Sequence, residues 1–266
     1  MLLGVALVLS ACAAPQPTVP AERVSEVLTG LDVLRGEGFT RLAGRRVGLV
    51  TNHSGIDRTG RHGIDLFRFA PGVDLIALFS PEHGIRGTED REGLESGVDP
   101  SSGLKIHSLY GKTKRPTADM LGGLDTLVFD IQDIGARFYT YIATLGGCME
   151  VAAERGLKVV VLDRPNPLGG RRFDGPIQDA DLIGKFTAFR AMPVTHGMTV
   201  GEIARLFNTE IGCDLEVVSM LGWRRDLFFD ETGLPWVNPS PNMRSLTEEL
   251  LYPMIAGVSD HMRQRI

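Results

Sequence analysis

The run Lys158-Val159-Val160-Val161-Leu162 is apolar from its second residue to its last. A strand with one face in water alternates apolar and polar residues; a continuous run has to be covered on both faces, as in a parallel sheet flanked by helices. Three more segments, 46–50, 75–79 and 125–129, carry the same signal. Helical patterns lie between them. Residues 62–69 are stopped by Pro71-Gly72, and residues 139–155 carry a stripe of Ile142, Leu145, Met149 and Ala152 before Gly156. Strands alternating with helices give an α/β fold, a Rossmann-like doubly wound and mainly parallel sheet over about residues 41–170.

The remaining segments are assigned in the same way. Residues 22–39 have helical spacing through Val24, Val27, Leu28 and Leu31, and residues 117–121 form a helical turn. Residues 105–110 and 214–220 are further strands, and 88–103 is a surface loop without periodicity. Residues 199–209 form a helix whose Thr199 and Glu202 have capping-box spacing, which accounts for Glu202 without any catalysis. The chain is expected to divide into a leader and tether (1–20), the Rossmann-like domain (21–190) and part of a second α/β domain (191–266).

Each of the four apolar runs ends in a polar word. These are Thr51-Asn52-His53, Ser80-Pro81-Glu82-His83-Gly84-Ile85-Arg86-Gly87, Asp130-Ile131-Gln132-Asp133 and Asp163-Arg164-Pro165-Asn166. In open parallel sheets, ligands bind outside the carboxyl ends of the strands, so all four words belong to one edge. Singly, Asp130 or Asp163 reads as a cap or turn residue. Together they describe a polar small-molecule site.

Composition narrows the chemistry. The 266 residues carry a net charge of −5 and 43% apolar residues, with no basic run, so nothing marks a nucleic-acid surface. An anionic substrate would need locally placed arginines. No strand is followed by Gly-x-Gly-x-x-Gly, and there is no Walker lysine loop, so no nucleotide cofactor is expected. Gly-x-Ser-x-Gly and His-Glu-x-x-His are also absent. His53, His83 and His196 have no diagnostic ligand spacing, which leaves a metal-dependent hydrolase as a minor alternative and assigns no metal ligands.

Residues 1–11 are almost wholly apolar, too short to span a bilayer, and lead into Leu9-Ser10-Ala11-Cys12. This has the form of a bacterial lipobox, with Cys12 as the lipidation site and a Pro/Ala/Thr-rich tether after it. The expectation is export to the bacterial cell envelope and membrane attachment through a lipid anchor. Cys148 and Cys213 remain, and both read as buried free thiols.

A carboxylate-based hydrolase suits the polar edge best. Glycoside hydrolysis needs a carboxylic acid to protonate the leaving oxygen. Glu82, beside apolar Phe79 and Pro81, is the candidate: desolvation there would keep its proton near neutral pH. The region 223–243 contains Trp223 and Trp236 among several prolines, an aromatic platform of the kind that stacks on sugars, although core tryptophans are commoner.

Long words in order carry a resemblance. Gly48-Leu49-Val50-Thr51-Asn52-His53-Ser54-Gly55, Ser80-Pro81-Glu82-His83-Gly84, the stretch from Phe129 to Tyr141, Leu162-Asp163-Arg164-Pro165-Asn166-Pro167, Val194-Thr195-His196-Gly197-Met198-Thr199 and Pro239-Ser240-Pro241-Asn242-Met243 resemble the NamZ-type exo-β-N-acetylmuramidases. The resemblance implies removal of N-acetylmuramic acid from the non-reducing ends of peptidoglycan fragments (muropeptides) during cell-wall turnover, with the family's catalytic glutamate at Glu82. It implies a substrate cleft lined by Asn52, His53, His83, Arg86, Asp130, Gln132, Asp133, Arg137, Tyr139, Tyr141, Asp163, Arg164, Asn166 and His196. Arg86, Arg137 and Arg164 are the candidates for the lactyl carboxylate of muramic acid. Members of that family continue past Leu251-Tyr252-Pro253 into a second domain, whereas residues 254–266 look unlike them. A non-catalytic muropeptide-binding lipoprotein, or an inactive shortened relative, is therefore the alternative expectation.

Overall fold

Six strands form the parallel body of one sheet: β1 (Arg46–Thr51), β2 (Asp74–Ser80), β4 (Lys105–Ser108), β5 (Thr126–Asp130), β6 (Lys158–Leu162) and β7 (Asp214–Val218). The short β3 (Gly97–Val98) adds an antiparallel edge, giving the order β3-β4-β2-β1-β5-β6-β7. The structure, a computed structural model, describes residues 26–86 and 96–263, with side chains through residue 254. Cys12, its tether and residues 87–95 lie outside the described residues.

The continuous apolar runs are explained by two cores, one on each face. Leu127, Phe129, Val159 and Val161 face α3 (Thr140–Arg155) and α4 (Val200–Ile211), while Val128, Val160, Leu162 and Val218 face α1 (Gly30–Gly36) and α2 (Gly63–Arg68). Successive residues of one strand thus supply opposite cores, which forbids a polar residue at either. The stripe of α3 is buried as its spacing requires, with Gly156 at φ 66° as its left-handed cap. Cys148 and Cys213 are free and buried, and burial pushes both thiols up, to about 12 and about 11.

Three expectations are corrected. The leading helix is shorter within the described residues, because Thr29 accepts the Asp32 N–H while Asp32 accepts the Thr29 N–H; this capping box starts α1 at Gly30. Leu28, expected inside the helix, instead bridges to Leu221. Residues 97–98 of the expected loop are strand β3. The sheet also does not end at residue 190. After the irregular 163–198 stretch the chain returns through α4, and β7 pairs with β6 over its whole length, so residues 200–218 are part of the first domain's sheet. Gly30 makes the closing contact: a Cβ there would lie 2.4 Å from Asp163 N and 2.5 Å from Val218 O.

Candidate active site

Register aligns the strand ends. Thr51 pairs with Asp130, Val50 with Phe79 and Phe129 with Val161, so the residues that follow leave the sheet along one edge. Glu82 begins this edge at the end of β2. It is half-buried, and Thr140, at the head of α3, donates its hydroxyl to Glu82 Oε2 at 2.6 Å. The next residue, His83, is buried and takes φ 66°, a left-handed conformation rare outside glycine that stores about 1 kcal/mol or more. Such a turn ends the strand abruptly and presents Glu82 beside α3.

The β1 end lies next to it. His53 donates from Nε2 to the Asn238 carbonyl at 2.6 Å, leaving Nδ1 buried without a partner; burial holds its pKa below the ordinary histidine value. Asn52 accepts two bonds from Ser54 through Oδ1, and its Nδ2 is unpartnered. His62 caps α2 by accepting the Ile64 N–H at Nδ1, so Nε2 donates to the Asn52 carbonyl at 2.9 Å. From α3, the Tyr141 hydroxyl donates to the Pro239 carbonyl at 2.6 Å. Burial raises the Tyr139 and Tyr141 phenols above their ordinary range. The 238–240 loop is thereby bound to both β1 and α3.

The β5 and β6 ends behave differently. Gln132 donates to the carbonyls of Asp133 and Pro165, both at 2.7 Å. Asp163 accepts from the N–H groups of Gly201 and Arg164 and from the Thr199 hydroxyl, which docks the start of α4; burial raises its carboxyl to about 6. Asn166 ties Met198 to Leu168. Arg164 is paired in the interior with Asp130 at 2.7 Å and also donates to the Ile56 carbonyl. His196 accepts the Met198 N–H at Nδ1, so its proton lies on Nε2 and points at Asp133 Oδ2, 3.1 Å away. Gln132, Asp163, Arg164, Asn166 and His196, all expected in the substrate cleft, each bond one loop of this edge to another.

The three arginine candidates separate in the same way. Arg86 is exposed and donates to Asp99 at 2.5 Å and to Ser101. Arg164 is buried with Asp130. Arg137 has no ionic partner among the described residues, and its Nε is buried without an acceptor. Trp223 packs over Gly170, while Trp236 stands edge-on to Phe229 at 4.9 Å.

Several buried polar atoms on the loops that leave this edge lack a partner among the described residues: Asn52 Nδ2, His53 Nδ1, Asp130 Oδ2, Asp133 Oδ1, Arg137 Nε and the Tyr139 hydroxyl. Buried polar groups are normally satisfied, so a cluster that is not marks the place for a polar ligand. Sequence reasoning missed Thr140, the partner of Glu82. It also missed Glu249 and Tyr252 of α5 (Leu246–Arg263), which brings Tyr252 against Phe138 and Tyr139. The Ser-x-x-Glu pattern of Ser245 and Glu248 was the available signal for α5.

Comparison with known proteins agrees with this fold. The family described as "Exo-beta-N-acetylmuramidase NamZ, N-terminal" matches residues 47–247. The peptidoglycan beta-N-acetylmuramidase NamZ of Bacillus subtilis (strain 168) is 44% identical over 248 residues, covering 92% of this chain and 59% of that protein. A crystal structure of a DUF1343 family protein from Bacteroides fragilis NCTC 9343 superposes with a TM-score of 0.83 at 41% identity, covering 89% of this chain and 61% of that one. A second protein from the same organism gives 0.73 at 32%, covering 86% and 60%. The chain thus spans about three-fifths of the length of the relatives it matches. With the family matched across 47–247 and the strand-end words in place on a doubly wound sheet, the chain belongs to the NamZ exo-β-N-acetylmuramidase family, of which it carries the N-terminal region.

Proposed function

We propose that this chain carries the catalytic face of an exo-acting glycoside hydrolase that releases N-acetylmuramic acid from the non-reducing ends of peptidoglycan fragments. The observation that carries the reading is Glu82, set at a strand end against Thr140, on the sheet edge where Asn52 Nδ2 and His53 Nδ1 are buried without partners among the described residues. Glu82 serves as the general acid. The Thr140 hydroxyl fixes Oε2, leaving Oε1 to carry the proton to the glycosidic oxygen. His53, Asn52 and Tyr139 meet the sugar's hydroxyl and acetamido groups. Arg137, the candidate arginine without an ionic partner, takes the lactyl carboxylate that distinguishes muramic acid from N-acetylglucosamine.

Support for the reaction class comes from the B. subtilis relative, named as a peptidoglycan beta-N-acetylmuramidase. The lipobox word ending at Cys12 supports an exported, lipid-anchored location near that substrate. The test is incubation with the disaccharide N-acetylmuramyl-β-1,4-N-acetylglucosamine, products being followed by mass spectrometry. Release of free N-acetylmuramic acid supports the reading. Retention of intact disaccharide by a folded protein that binds it would make the chain a muropeptide-binding protein instead.

A further inference from the structure

Glu249 is assigned no contact with substrate. It lies in the first turn of α5 with 0% exposure, and neither carboxylate oxygen has a hydrogen-bond partner. A buried carboxylate without a donor or counter-charge is strongly disfavoured, and such a group keeps its proton instead. Burial and the charge of Asp133 both push its pKa well above the ordinary carboxylate range. Asp133 has the complementary need. Its Oδ2 receives the Gly135 N–H and His196 Nε2, while its Oδ1 is buried with no donor.

The surroundings of α5 agree with this. Tyr252, three residues on and so on the same helix face, packs edge-on to Phe138 at 5.6 Å and Tyr139 at 6.3 Å. That face lies against the loop following β5. The other ionisable groups are Arg137, Tyr139 and Asp133 on the loop, His196 behind Asp133, and Tyr252, Glu248 and Arg244 on and before α5. Glu248 and Arg244 pair with one another at 3.3 Å. Among the described residues none of these donates a hydrogen bond to either Glu249 oxygen.

We propose that Glu249 is a positioning residue: a neutral carboxylic acid that donates its proton to Asp133 and fastens α5 to the loop carrying Arg137, Tyr139 and Thr140. It acts through that loop on Glu82. The proposal rests on the reading of Glu82 given above.

The test compares the full chain with Glu249→Gln and Glu249→Leu, measuring thermal midpoints and kcat/KM from about pH 5 to about pH 9. A carboxyl whose folded-state pKa is raised contributes stability that is fully present below its unfolded value, about 4.3, and lost as pH rises through the folded value. The wild-type midpoint and kcat/KM therefore both decline on the alkaline side. Glu249→Gln, a permanently neutral donor, rescues both on that side, whereas Glu249→Leu lowers kcat about tenfold on the acid side, where wild-type Glu249 holds its proton and Asp133 loses its donor in the variant. Superimposable alkaline limbs and midpoint curves for wild type and Glu249→Gln would overturn the proposal. If no variant turns over substrate, the reading of Glu82 fails, and the midpoint curves still decide whether Glu249 holds its proton.

Discussion

The ends of β2 and β6 look alike in sequence and differ in what their polar groups do. Ser80-Pro81-Glu82-His83 and Asp163-Arg164-Pro165-Asn166 each follow a buried apolar run, and each is dense in charge. At β6, Asp163, Arg164 and Asn166 are bonded to Gly201, Thr199, Asp130, Ile56, Met198 and Leu168, so the segment returning to α4 is pinned to the sheet. At β2, Glu82 accepts the Thr140 hydroxyl, and the adjacent β1 end leaves Asn52 Nδ2 and His53 Nδ1 without partners among the described residues. Polar density at a strand end therefore marks both framework and chemistry. Only the fate of the hydrogen bonds tells the two apart.

The sharpest way to break this comparison is to attack the framework. Arg164→Met leaves Asp130 as an uncompensated interior charge and should cost about 3–5 kcal/mol of stability. A chemical-denaturation midpoint measures it; a change under 1 kcal/mol would mean that Arg164 is not a framework residue. Next in size is Arg137→Ala. It should raise KM for a muramic substrate roughly 10- to 100-fold while leaving the denaturation midpoint near wild type. An equal change for an N-acetylglucosamine analogue would assign Arg137 to the fold or to another part of the sugar. Smallest is Thr140→Val, which removes the hydroxyl from Glu82 and should lower kcat by about fivefold with little effect on KM. Steady-state kinetics separate the two, and a pure KM effect would place Thr140 in binding instead.

Much of the sheet was legible because its rule is local. A strand buried on both faces has to be continuously apolar, and β1, β2, β5 and β6 are. The convergence of their ends followed from parallel pairing alone. The boundary at 190 misled because no strand signal lies between β6 and α4, so the 163–198 stretch resembles a linker; the bonds from Thr199 and Gly201 to Asp163 that return it to the sheet are non-local. The same limit applies in the site. Glu82 stood out by its position after Pro81, but Thr140 is 58 residues away, and no spacing rule links them. Glu249 was invisible for the same reason, since a glutamate in a first helical turn ordinarily faces water. The three arginines were equivalent in sequence, and separated only once Asp99 and Asp130 were seen to occupy two of them.

The proposed function places the chemistry at Glu82 and the framework at the β6 end. Its most direct test is the rate of N-acetylmuramic acid release from N-acetylmuramyl-β-1,4-N-acetylglucosamine, whose poor leaving group needs protonation, by wild type and Glu82→Gln. Thermal midpoints would be measured on the same samples. The substitution should lower kcat/KM by roughly 10²–10⁴-fold, as removal of a general acid does, with an unchanged midpoint. Turnover by Glu82→Gln within a few fold of wild type would contradict it.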